Sequence, residues 1–80
     1  MTFKEKVEEI LAAVKGFSGR DVIYLRDMTK GCSVYKFYIN GNEKRILISE
    51  SRLETDNIDD IINWIRANFS ELSQISQIKY

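Results

Sequence analysis

Eighty residues, 44% of them hydrophobic and 30% charged, are the composition of one small globular domain rather than a disordered segment. Twelve basic and twelve acidic residues cancel, so no global field steers the chain towards nucleic acid or an anionic membrane. With no histidine, no proline and one cysteine, most familiar catalytic and metal-binding constellations cannot be assembled, and Cys32 cannot close an internal disulfide. That cysteine usage fits a reducing compartment. The opening Thr2-Phe3-Lys4-Glu5-Lys6 is charged with no apolar core behind it, and no apolar run nears the roughly 20 residues of a membrane span. The expectation is a cytoplasmic protein with no membrane contact and no cofactor.

Thr2 to Lys15 reads as the first helix. Thr2-Phe3-Lys4-Glu5 is a capping box, and Phe3, Val7, Ile10, Leu11 and Val14 recur on one helical face. Gly16 sits where a left-handed stop is wanted, and Ser18-Gly19-Arg20 turns the chain. Asp21 to Asp27 alternates and is rich in strand formers, with Val22, Tyr24 and Arg26 on one side and Ile23 and Leu25 on the other. Met28 to Cys32 reads as a short connection.

Val34 to Ile39 and Lys44 to Ile48 form a hairpin in which two registers compete. A turn centred on Asn40-Gly41 sets Phe37 opposite Lys44. One centred on Gly41-Asn42 sets Phe37 opposite Ile46 and Tyr35 opposite Ile48, which keeps one face apolar and gives a type II′ turn its glycine. The second register is expected. Ser49 to Thr55 reads as a polar connector, and Asp56 or Asn57 caps a second helix whose stripe is Ile58, Ile61, Ile62, Ile65, Phe69 and Leu72, with Trp64 at its flank. Residues 73–80 carry weak signals and read as a poorly ordered tail.

These elements predict a single α+β domain over residues 1–80: a two-layer α-β-β-β-α sandwich, its three-stranded antiparallel sheet covered on one face by two helices. Ile23, Leu25, Tyr35, Phe37, Ile39, Ile46 and Ile48 are expected to face the helices. The opposite face has nothing left to cover it. Its residues Val22, Tyr24, Arg26, Val34, Lys36, Tyr38, Arg45 and Leu47 mix tyrosine, aliphatic and basic side chains, as protein contacts do, and are the candidate partner-binding set. The alternative is that one wet face is ordinary for an antiparallel sheet.

Other features have plainer readings. Glu50, Glu54, Asp56, Asp59 and Asp60 gather before and within the second helix, but they match no calcium-loop spacing and suit capping and the helix dipole. Cys32 lacks a histidine base. Asn68-Phe69-Ser70 is a glycosylation triplet whose centre belongs to the apolar stripe, and the four dispersed glycines make no phosphate loop.

The α-β-β-β-α order resembles the double-stranded RNA-binding domain. That family grips phosphate with a lysine cluster at the start of its second helix, where this chain reads Asp56-Asn57-Ile58-Asp59-Asp60. Gly41-Asn42-Glu43 followed by Ile48-Ser49-Glu50-Ser51 and a helix is similar to part of some small phage anti-CRISPR proteins, which implies an accessory protein of a phage or mobile element. The expected function is a small non-enzymatic interaction module that binds a protein partner or itself through the open sheet face. Nucleic-acid binding through Tyr24, Tyr38, Arg26, Lys36 and Arg45 is the alternative.

Overall fold

Thr2 starts the first helix, α1 (Phe3–Ser18), through the expected capping box. Its hydroxyl accepts the Glu5 amide at 3.2 Å, and the Glu5 carboxylate accepts the Thr2 amide at 3.2 Å. The computed structural model describes residues 2–80, Thr29 by its backbone alone. α1 does not stop at Gly16. It continues to Ser18, and the left-handed residue is Gly19, φ 65°, whose amide donates to the Lys15 carbonyl at 2.9 Å. The extra turn carries Phe17 to an edge-on contact with Phe69, 6.0 Å between ring centres.

Strands β1 (Val22–Thr29) and β2 (Cys32–Ile39) are longer than the alternation suggested, because only Lys30 and Gly31 join them. Both are left-handed, φ 53° and 78°, as a type I′ turn requires, and glycine reaches that region without penalty. β3 (Lys44–Ser49) pairs with β2 in the expected register, Phe37 opposite Ile46 and Tyr35 opposite Ile48. The type II′ turn does not form. The connection is a four-residue loop, 40–43, in which Asn40 and Gly41 both have positive φ, 54° and 73°.

The stretch read as a polar connector holds a short helix, α2 (Glu50–Thr55), started by the Ser49 hydroxyl accepting the Arg52 amide at 3.4 Å. Its single apolar residue, Leu53, is fully buried and anchors it. Asp56 ends α2, and Asn57 caps α3 (Ile58–Leu72) by accepting the Asp59 amide at 2.8 Å. The tail is not loose. Gln77–Lys79 forms β4, parallel to β3, with Ile78 opposite Ile46 and buried in the core.

The fold is therefore α+β, but its sheet has four strands in the order β1-β2-β3-β4 and is mixed rather than three-stranded and antiparallel. One face packs against the helices. Phe37, Ile46 and Ile48 meet Val7, Ile10 and Val14 of α1, Leu53 of α2, and Ile61 and Ile65 of α3. β1 presents the opposite phase from the one expected. Val22 is 3% exposed and Tyr24 packs on the core, while Ile23 and Leu25 are 59% and 57% exposed. The hairpin forces this: Val22 lies opposite Ile39 and Tyr24 opposite Phe37, and directly paired residues share a face.

Truncating the α2 anchor tests this packing. Leu53→Ala is expected to cost about 2–5 kcal/mol in urea unfolding, as for other buried leucines, whereas the neighbouring exposed Glu54→Ala should stay within about 0.5 kcal/mol.

Candidate interaction surface

The uncovered sheet face is built by alternation on four strands. β1 contributes Ile23, Leu25 and Asp27, β2 Val34, Lys36 and Tyr38, β3 Arg45 and Leu47, and β4 Gln77 and Lys79. Of the eight residues expected there, Val34, Lys36, Tyr38, Arg45 and Leu47 are on this face. Val22, Tyr24 and Arg26 are not. Val22 is core, and Tyr24 lies with its ring 5.9 Å from Phe37 and 6.1 Å from Tyr35. Arg26 reaches towards α2, donating to Ser33 at 2.8 Å and to the Glu50 carboxylate at 3.2 Å. Ile23 and Leu25 take their place, so the face is more aliphatic than expected. Only the length of the β1–β2 turn could have revealed them.

The face is also less basic than its composition implies. Lys36 donates to Asp27 at 2.9 Å, a diagonal cross-strand pair. The Lys36 hydrogen bond and charge hold the Asp27 carboxyl below its ordinary value, and Asp27 in turn raises the Lys36 ammonium. Arg45 is half-buried, and its Nε is enclosed with no partner among the described residues. Ile23, Leu25, Tyr38 and Arg45, with the Gly41-Asn42 loop, line a shallow depression of about 420 Å³.

A second concavity of about 440 Å³ opens where the ends of α1 and α3 meet the 40–43 loop, floored by Phe17, Ile39, Phe69 and Leu72. Most of its polar lining is committed locally. The Ser73 hydroxyl donates to the Ser70 carbonyl, the Lys44 ammonium to the Ile75 carbonyl, and the Asn40 amide to Glu43.

Of the acidic run, Glu50 and Asp56 are paired. Glu50 meets Arg26, and Asp59 and Asp60 lie in the first turn of α3. Asp56 accepts the Tyr80 hydroxyl at 2.6 Å and Arg52 Nε at 3.0 Å. Among the described residues no three carboxylate or thiol groups gather as a metal site. The Arg52 guanidinium lies 4.6 Å from the Tyr80 ring centre, and Trp64 packs edge-on against the same ring at 5.1 Å. These contacts clamp β4 to the α2–α3 junction.

The observed element order, α-β-β-β-α-α-β, departs from the double-stranded RNA-binding domain by α2 and by the parallel strand β4. The chain matches no family model, no curated protein and no solved structure. No helix among the described residues is long and apolar enough to cross a membrane.

The clamp carries a pH signature. The Tyr80 hydrogen bond first, and Arg52 second, hold the Asp56 carboxyl below its ordinary value of 3.8. A lowered folded-state value means that Asp56 supports the clamp fully above the ordinary range and loses this as pH falls through the lowered value. NMR titration of the Asp56 carboxyl should find a midpoint below 3.8, and Tyr80→Phe should move it back up. An unchanged midpoint in that variant would show that Tyr80 is not docked in solution.

Proposed function

We propose that this chain is a non-enzymatic interaction module that binds a protein partner through its open sheet face. The supporting observation is the row of aliphatic and aromatic side chains that no helix covers: exposed Ile23 and Leu25 beside half-buried Val34, Tyr38 and Leu47. An aliphatic and tyrosine-bearing patch interspersed with basic side chains is the composition of a contact surface, and burying it supplies binding energy without moving the core. Lys36 crosses the middle of the patch between Leu25 and Leu47, drawn to Asp27, and with Arg45 and Lys79 would set orientation more than affinity.

Nucleic-acid binding has weaker support than the sequence allowed. Lys36 is paired with Asp27, Arg26 lies on the helix side, and Asp59 and Asp60 occupy the helix start where a phosphate grip would sit. Phosphate affinity scales with the number of free cations that release counterions. Binding to duplex RNA near physiological salt should therefore be weaker than micromolar in a fluorescence-anisotropy titration.

The contact patch itself is tested by Tyr38→Glu with Leu47→Glu. Pull-down from source-cell extract with the unaltered chain should retain a specific protein that the double variant loses, with circular dichroism unchanged. If the variant unfolds, the face belongs to the core. If it folds and still captures the same protein, the contact lies elsewhere.

A further inference from the structure

The two edges of the sheet differ. β4 is three residues long and carries exposed Gln77 and Lys79, which discourages further pairing. β1 is eight residues long, pairs one-to-one with β2 without a bulge, contains no proline, and borders the exposed Ile23 and Leu25. Proteins blunt a bare edge with charges, bulges, prolines or a covering element. β1 has no bulge, proline or cover, and its two charges, Arg26 and Asp27, are drawn to Glu50 and Lys36. The Asn40 amide donates to the Asp21 carbonyl at 3.0 Å, so Asp21 directs its backbone towards β2. By antiparallel alternation Ile23, Leu25 and Asp27 do the same, while Val22, Tyr24, Arg26 and Met28 point their amides and carbonyls outward. Among the described residues no other backbone segment bonds to that outward row, and only the Asp27 carboxylate reaches one of its amides, that of Met28.

We infer that β1 pairs with β1 of a second copy of this chain, antiparallel about a two-fold axis at Leu25, to form one continuous eight-stranded sheet. The occupant follows from the self-complementarity of the strand. With Leu25 on the axis, Val22 lies opposite the partner's Met28 and Tyr24 opposite the partner's Arg26. The first is an apolar pair that covers Met28, now 59% exposed, and the second sets a guanidinium beside an aromatic ring. Leu25 meets its own copy with Ile23 of each strand on the diagonal, and Ile23 stands opposite the partner's Asp27, whose carboxylate Lys36 already holds. All four outward-facing residues find hydrogen-bonding partners, and no like charges oppose one another within the strand. The neighbouring registers are worse. An axis at Arg26 opposes two guanidiniums and leaves Val22 without a strand partner, and an axis at Tyr24 brings Asp21 against the partner's Asp27 and leaves Met28 unpaired.

This inference rests on the interaction role proposed above but uses the strand edge rather than the face, so the two can fail separately. Light scattering coupled to size exclusion, from micromolar to millimolar chain, should show a dimer. Arg26→Pro removes one outward-facing amide and no bond to β2, so it should give a folded monomer, while Arg26→Ala should remain dimeric. Tyr38→Glu with Leu47→Glu should stay dimeric even where it loses a face-bound partner. Amide exchange in the unaltered protein provides a test that does not depend on a variant folding. The amides of Tyr24 and Arg26 should exchange as slowly as those of Ile23 and Leu25 in a dimer. A monomer throughout the concentration range, fast exchange at Tyr24 and Arg26, or a dimer that survives as a folded Arg26→Pro variant would each overturn the inference. Register is read separately: Leu25→Cys with Cys32→Ser should oxidise readily to a cross-linked dimer, and failure to cross-link in a dimeric sample would reject the axis at Leu25.

Discussion

The two-residue turn at Lys30-Gly31 is the constraint on which the make-up of the open sheet face depends. With both residues left-handed, the hairpin closes with Thr29 opposite Cys32, and every later pair follows from that one. Val22 must then stand opposite Ile39, and Tyr24 opposite Phe37. β2 is in turn locked to β3 by Phe37 opposite Ile46, in the middle of the core. The helices bury whichever face carries Phe37 and Ile46, so β1 has no freedom to choose its phase. Ile23 and Leu25 are expelled to the open face although they are the more apolar pair, because a slip of one residue would reverse every side chain of the strand.

That expulsion leaves the open face more aliphatic than its neighbours. Two large aliphatics left on an edge strand are a liability that solvent alone does not resolve, and a contact that covers them removes it. The charged residues nearby are arranged to restrain the surface. Lys36 and Asp27 neutralise each other across the β1–β2 pair, and Arg26 is drawn to Glu50 on the opposite side of the sheet. An unsteered aliphatic surface suits another protein surface better than a polyanion.

The second organising contact is the clamp around Tyr80. A three-residue parallel strand has few backbone bonds of its own, and its stability comes from burial of Ile78 and from what holds its flanks. Tyr80 supplies that hold through Asp56, Arg52 and Trp64, while its amide donates to the Leu47 carbonyl at 2.8 Å. Residues from α2, α3 and β3 thus converge on a single residue, so the short α2 helix positions Arg52 and Asp56 as well as burying Leu53.

Local chemistry in the sequence determined α1 and its capping box, the apolar stripe of α3, the β2–β3 register and the existence of an uncovered sheet face. Each rests on contacts only a few residues apart, or on a pattern long enough to exclude its rival. Tertiary structure decided the rest. Leu53 is one apolar residue among polar neighbours, and it becomes a helix anchor only because the core formed by the sheet and α1 receives it. Ile78 carries no strand signal of its own and pairs only because β3 offers it a free edge. The phase of β1 was equally illegible from alternation alone, since Val22/Tyr24 and Ile23/Leu25 both read as apolar faces. A strand with two such sides takes its orientation from the partner it is registered against, and that partner is fixed by a turn whose two residues look, in sequence, like part of a longer loop.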